Sequence, residues 1–170
     1  MQIEMNALTN PLEMTLAYDS GGEGRNSRNA PKFIVHFPLN LYEALIRLSV
    51  LEERSLNGEV VAGLISGLTG HAKLELDRKL YADALGEESV QWLLQGHQPI
   101  DPVRGKNKFV VRLKWGMPEV LTVLAAQRKS EDPAFSMHQL YLEYLCRWVN
   151  LRRETHLLAT ALLSDVDKVR

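Results

Sequence analysis

Two short segments of alternating residue types carry the side chains that could bind a polar ligand. Residues 32–37 place apolar side chains at every second position, and between them lie Lys32, Ile34 and His36. Residues 109–114 repeat the alternation, and here the intervening residues are Val110, Arg112 and Lys114. Because successive side chains of a strand point to opposite faces, each segment predicts a strand with one apolar face. The lysine, histidine and arginine side chains on the other face can donate hydrogen bonds to a polar or anionic ligand.

The sequence contains no arrangement of residues typical of catalysis or of metal binding. There is no Gly-rich phosphate loop, no nucleophile elbow and no closely spaced His/Cys pair for zinc. The five histidines are scattered, and the adjacent acids Glu52-Glu53 and Glu87-Glu88 are expected on a solvated surface. We therefore predict that the protein is not an enzyme and uses no metal and no cofactor.

Two short helices are predicted to follow the first strand. Pro38 ends the strand, because it lacks a backbone N–H, and suits the first turn of a helix. Ser55 is the predicted N-cap of the next helix. Each helix has an apolar stripe, formed by Leu41, Ala44, Leu45 and Leu48 in the first and by Leu56, Val60 and Leu64 in the second.

The run from Lys32 to Leu64 resembles the ribbon-helix-helix repressors related to Arc and MetJ. The resemblance rests on the Phe37-Pro38 boundary and on the turn formed by residues 54–57, and it covers about a fifth of the chain. In that family, two strands pair into an antiparallel ribbon that enters the major groove of DNA. The resemblance implies a mostly α fold with a short antiparallel β-ribbon.

The same resemblance implies roles for individual residues. Lys32, Ile34 and His36 would face the bases, and the amides near Ser55, Leu56 and Asn57 would hold phosphate. Ile34 departs from the family pattern, in which many members carry a polar base reader. An isoleucine offers only an apolar contact, for instance to a thymine methyl group.

The strand–helix–helix pattern returns beyond the Pro- and Gly-rich residues 97–108. Pro118 opens a predicted helix, and Ser136 is predicted to cap another that runs from Met137 to about Arg153. The span from Leu113 to Ser136 is 23 residues, against 18 from Phe37 to Ser55, so the register of this copy stays open. If the repeat is real, the chain resembles tandem members of the family such as TraY, and its strands could pair within one chain. Otherwise the first strand pairs with a second copy of the protein.

Basic residues surround the second strand. By the same analogy, Val110, Arg112 and Lys114 would face the bases, and Lys106, Lys108 and Ser136 would contact phosphate. The alternative is that these lysines belong to a solvated edge strand and block unwanted pairing.

These patterns divide the chain into five segments. Residues 1–31 are predicted to form a flexible arm, in which Arg25 and Arg28 could follow the DNA backbone or stay solvated without any contact. The two strand–helix–helix modules span residues 32–68 and 105–155. A helical connector, 69–104, carries helices near 72–85 and 87–94, and residues 156–170 form a helical tail.

Charge and cysteine content constrain the protein's partners and compartment. The net charge is −1, yet residues 1–100 carry 8 basic against 13 acidic side chains and residues 101–170 carry 12 against 8. The single cysteine, Cys146, excludes an intramolecular disulfide and fits a reducing compartment. No secretory or membrane segment is visible, so we predict a cytoplasmic protein without a membrane partner.

We therefore expect a sequence-specific DNA-binding protein, a transcriptional repressor of bacterial, phage or plasmid origin. Its partner would be double-stranded DNA, and it would either self-associate or form its ribbon within one chain. The alternative function is that of an antitoxin, or of an accessory protein of a DNA-processing complex, which acts mainly through protein contacts. Ile34 on the reading face and the acidic first half of the chain favour this alternative.

Overall fold

In the computed structural model, the described residues are 30–168, and they are mostly helical with one small sheet. The element order is β1 (Lys32–Phe37), α1 (Leu39–Leu51), α2 (Leu56–Leu68), α3 (Ala72–Leu85), α4 (Glu87–Leu94), β2 (Asn107–Arg112), α5 (Met117–Glu131) and α6 (Met137–Lys168). The predicted N-terminal arm, with Arg25 and Arg28, lies outside the described residues except for its last two positions. A strand followed by two helices therefore occurs twice along the chain.

The two strands pair with each other in antiparallel orientation. The register places Lys32 opposite Arg112 at one end and Phe37 opposite Asn107 at the other. Ile34 and Val110 form a pair near the middle. Strand β1 thus finds its partner within the same chain, which is one of the two alternatives that the sequence left open.

Local signals in the sequence explain where the helices begin. The Ser55 hydroxyl accepts a hydrogen bond from the Gly58 N–H at 3.0 Å, and the Ser136 hydroxyl accepts one from the Gln139 N–H at 3.1 Å. Both serines therefore satisfy amides that have no acceptor inside the helix. Pro118 lies in the first turn of α5, where its missing N–H removes no intrahelical bond.

The last helix is longer than the sequence pattern indicated. Helix α6 continues to Lys168, well beyond the predicted end near Arg153. Residues 154–168 contain neither Gly nor Pro, and Leu158 is completely buried, so tertiary packing supports the extension. Helix α3 of the connector packs along α6.

The hydrophobic core lies beneath the sheet and between α2 and α6. The sheet contributes side chains that are fully buried, and so do both helices. These residues belong to one contiguous cluster that includes Val35, Phe37, Val111, Val60, Leu64, Leu142, Leu145 and Val149. Neither strand–helix–helix segment could enclose such a core alone, because each presents its apolar faces to the other.

Two glycines allow α2 and α6 to approach closely. A Cβ atom on Gly63 would lie 2.9 Å from Leu145 Cδ2 and 3.0 Å from Trp148 Cγ. A Cβ atom on Gly67 would lie 2.4 Å from the ring of Tyr144. All three distances are shorter than ordinary carbon–carbon contacts, so the close packing of these helices requires glycine at both positions.

Two further findings concern the environment of the chain. Cys146 is a buried free thiol, and burial raises its pKa to about 12, so it stays protonated at neutral pH. None of the helices within residues 30–168 has the length and hydropathy needed to span a lipid bilayer.

Candidate functional site

The exposed face of the two-stranded sheet presents six side chains in three rows. We call this surface the ribbon face. Its rows are Lys32 with Arg112, Ile34 with Val110, and His36 with Lys108. His36 is half-buried and the other five are exposed, whereas Val35, Phe37 and Val111 on the opposite face are completely buried. The alternation predicted for each strand is thus confirmed.

The register corrects the placement of two lysines. Lys108, predicted to contact phosphate, is part of β2 and lies on the ribbon face opposite His36. Lys114, predicted to face the bases, is exposed but follows the end of β2 at Arg112. Lys106 precedes β2 and is also exposed. The residues that β2 contributes to the ribbon face are therefore 108, 110 and 112.

The two paired strands are related by a local twofold rotation. The axis passes between Ile34 and Val110, perpendicular to the sheet, and a rotation of 180° about it exchanges the two strands. It superimposes residues 32–37, Lys-Phe-Ile-Val-His-Phe, on residues 108–113, Lys-Phe-Val-Val-Arg-Leu. Lys32 is then equivalent to Lys108, and His36 to Arg112. The sequence similarity and the pairing geometry therefore agree on one alignment of the two segments.

The start of each capped helix is bonded to the backbone of the ribbon. Asn57, two residues after the Ser55 cap, donates its Nδ2–H to the Arg112 carbonyl at 3.0 Å and accepts the Arg112 N–H at 2.7 Å. His138, two residues after the Ser136 cap, accepts the His36 N–H at Nε2, 2.9 Å away. Arg112 and His36 are equivalent positions, so the same contact occurs at both ends of the ribbon.

These contacts determine the surroundings of the ribbon face. The N-terminus of α2, including Ser55, Leu56 and Asn57, adjoins one end of the ribbon, and the N-terminus of α6 at Ser136 adjoins the other. Free amides and the helix dipole give each N-terminus a partial positive charge. The Asn57 side chain is already occupied by Arg112, so only backbone amides remain there to hold an anion.

The ribbon face and its flanks carry positive charge without acidic neighbours in sequence. Residues 102–118 contain five basic side chains and no acidic one. Within the part of the chain that the structure describes, no salt bridge involves Lys32, Lys106, Lys108, Arg112 or Lys114. Uncompensated cations on one surface attract a polyanion.

His138 accepts the His36 N–H only while its Nε2 is unprotonated. Burial lowers the pKa of His138, and the positive charge of Arg104 and the His36 ring lower it further. The His36 and His138 ring centroids are 6.1 Å apart. The neutral form of His138, which can serve as the acceptor, is therefore favoured in the folded protein.

A cluster of charged residues holds the turn between α1 and α2 in place. Glu59 is completely buried, and its carboxylate accepts hydrogen bonds from Trp148 Nε1 at 2.7 Å and from Arg54 at 3.2 Å. Glu52, expected on a solvated surface, is half-buried and forms salt bridges with Arg54 and Arg152. The cluster positions the turn that leads to the Ser55 cap. Sequence reasoning missed it, since Trp148 lies 89 residues from Glu59.

Metal binding has no support among the described residues, which contain no group of three His, Cys, Asp or Glu side chains able to hold an ion.

Comparison with known proteins found no matching family model, no matching curated protein and no matching solved structure. The site must therefore be interpreted from its own geometry.

Proposed function

We propose that this protein binds double-stranded DNA in a sequence-specific manner and acts as a transcriptional repressor that occludes a promoter. The observation that carries the proposal is the ribbon face, whose four basic or imidazole side chains flank two aliphatic ones and lack acidic partners within the described residues. A ribbon-helix-helix fold with two copies in one chain would account for this arrangement.

The dimensions of the ribbon suit the major groove. Paired strands lie about 4.8 Å apart, and the major groove, about 12 Å wide, admits a two-stranded ribbon. Lys32, Lys108 and Arg112 would donate to guanine O6 and N7. Ile34 and Val110 would pack against thymine methyl groups, and His36 would donate or accept one hydrogen bond.

Phosphate groups would bind on both sides of the ribbon. The backbone amides at the N-termini of α2 and α6 would each hold a phosphate, because helix N-termini bind anions. Lys106 and Lys114, which flank β2, would add charge contacts that depend little on sequence. The two helix ends would thus position the ribbon, and the ribbon face would read the bases.

Selection of bound duplexes from a random DNA pool, followed by footprinting, tests the proposal. We expect an enriched motif and a log–log salt dependence of the binding constant of about −0.9 per phosphate contacted. Arg112→Ala and His36→Ala should each weaken binding to that motif by about 1–3 kcal/mol without loss of fold. Lys79→Ala on α3, whose side chain is 70% exposed, is the matched control and should bind as wild type. No enrichment at physiological salt would contradict DNA reading.

The alternative function, that of an antitoxin or accessory protein acting through protein contacts, has one observation in its favour. Large apolar side chains on the helices are exposed, among them Val50 (73%) and Trp92 (74%). Exposed apolar side chains can mark a protein interface. Under this alternative, the protein would show little DNA binding at any salt concentration, so the selection experiment separates the two functions.

A further inference from the structure

Helices α2 and α6 fit together because one carries glycine where the other carries an aromatic ring. Gly63 and Gly67 lie 8 and 12 residues after the Ser55 cap, and Tyr144 and Trp148 lie 8 and 12 residues after the Ser136 cap. The glycines leave space that the aromatic rings occupy, with Gly67 against Tyr144 and Gly63 against Trp148. Two copies of α2 would place glycine opposite glycine, and two copies of α6 would place ring against ring. Each ribbon therefore consists of one β1 and one β2 strand.

The two strands differ on the ribbon face mainly at one pair of equivalent positions. Lys32 and Lys108 are identical, and Ile34 and Val110 are both aliphatic. His36 and Arg112, however, differ in shape and in hydrogen-bonding capacity. Because Arg112 pairs with Lys32 and His36 pairs with Lys108, one end of the ribbon carries Lys with Arg and the other carries Lys with His.

The two ends differ in the base contacts that they can make. A guanidinium forms two parallel hydrogen bonds to guanine O6 and N7, whereas each nitrogen of an imidazole ring forms only one. At both ends the backbone forms two further hydrogen bonds. The Arg112 N–H and carbonyl both bond to the Asn57 side chain. The His36 N–H donates to His138 Nε2, and the His36 carbonyl accepts the Gly105 N–H at 3.0 Å. The guanidinium therefore makes the Lys32–Arg112 end the stronger guanine reader.

Building on the DNA binding proposed above, we propose that the ribbon reads a non-palindromic DNA site and that the difference between His36 and Arg112 sets its orientation. The guanine contacts would be concentrated at the Arg112 end of the site. The middle of the site would present thymine methyl groups to Ile34 and Val110. A single protein molecule would then bind its site in one direction only.

The test compares the selected motifs of wild type, His36→Arg and Arg112→His. Wild type should enrich a non-palindromic motif. A base-pair substitution at its guanine-rich end should lower the affinity at least about 5-fold more than the equivalent substitution at the opposite end, as expected from a bidentate contact. His36→Arg gives both ends Lys with Arg and should enrich a palindromic motif. Arg112→His gives both ends Lys with His and should enrich a weaker palindromic motif.

Lys79→Arg on α3 serves as the matched control, and its motif should equal that of wild type. A palindromic wild-type motif would overturn the proposed asymmetry and leave DNA reading intact. A His36→Arg motif that stays as asymmetric as that of wild type would overturn the assignment to residues 36 and 112. Absence of any enriched motif would overturn DNA reading itself, and with it this inference. Circular dichroism spectra identical to that of wild type would confirm that each variant is folded.

Discussion

The two strand–helix–helix segments, β1–α1–α2 and β2–α5–α6, share a backbone plan and differ in the side chains that join them. Both second helices begin at a serine cap, and both bind the opposite strand through the residue two positions later. Helix α2, however, has 13 residues with glycines at its contact face, whereas α6 has 32 residues with aromatic rings at the equivalent positions. The two segments are thus complementary at their contact, and together they enclose a core that neither could enclose alone.

Val60→Asp should lower the free energy of unfolding more than any other change considered, because it places a charge in the core between the two strand–helix–helix segments. Val60 is completely buried, and an unpaired carboxylate there costs several kcal/mol, comparable with the total stability of a domain. We expect loss of cooperative unfolding, measured by circular dichroism in a urea titration. Val50→Asp on α1, where the side chain is 73% exposed, should unfold like wild type. A stable Val60→Asp protein would contradict the shared core.

Low pH should weaken the packing of α6 around His71, a buried residue whose ring centroid lies 6.2 Å from that of Tyr144 and 6.4 Å from that of Trp148. Burial, together with the positive charge of Arg147, lowers the His71 pKa from 6.5 to about 4, so folding favours the neutral ring. The unfolded chain binds the proton more tightly, so stability is full above pH 6.5 and falls as the pH drops towards 4, by about 3 kcal/mol. Urea titrations at several pH values should detect the loss.

The His71→Asn variant isolates this contribution. His71 has a φ of 59°, and asparagine tolerates this left-handed conformation better than most residues. The stability difference between wild type and His71→Asn should narrow as the pH falls from 6.5 to 4. A difference that does not change with pH would exclude His71 as the titrating group.

Gly67→Ala should lower the free energy of unfolding by less than Val60→Asp does, because it disturbs only the contact between α2 and α6. The added Cβ would lie 2.4 Å from the Tyr144 ring, and such overpacking costs about 1–3 kcal/mol, even though alanine favours a helix by about 1 kcal/mol over glycine. Chemical denaturation should measure the loss. Gly96→Ala, whose Cβ would have no neighbour within 4 Å, is the control. If Tyr144→Ala did not reduce the cost of Gly67→Ala, the clash would lie elsewhere.

The smallest expected effect is a local increase in amide hydrogen exchange at one end of the ribbon, caused by removing the side chain that bonds to the backbone there. Asn57→Ala removes two hydrogen bonds to the Arg112 backbone, whereas His138→Ala removes one to the His36 backbone. At a net value of about 1 kcal/mol per bond, Asn57→Ala should show faster amide hydrogen exchange at Arg112 than wild type, and His138→Ala faster exchange at His36. Unchanged exchange rates in both variants would mean that these contacts do not hold the ribbon.

The sequence predicted local features well, because they depend on neighbouring residues. The alternation of β1, the strand end at Pro38 and the serine caps follow from backbone geometry alone. The register did not follow, since a shift of two residues leaves every side chain of a strand on the same face. Lys108 and Lys114 are therefore indistinguishable by alternation, and only the pairing of His36 with Lys108 separates them. The burial of Glu59 depends on Trp148, which no local pattern connects to it.

The pairing of β1 with β2 inside one chain also affects how the ribbon responds to dilution. A ribbon built from two separate molecules dissociates as protein becomes scarce, because its formation depends on the square of the concentration. Here the connector between α2 and β2 keeps both strands at a high effective concentration, whatever the number of molecules in the cell. Every molecule therefore carries a complete ribbon. Under the proposed function, the fraction of a single DNA site that is occupied would rise hyperbolically with protein concentration, without a threshold, from the first copies synthesised.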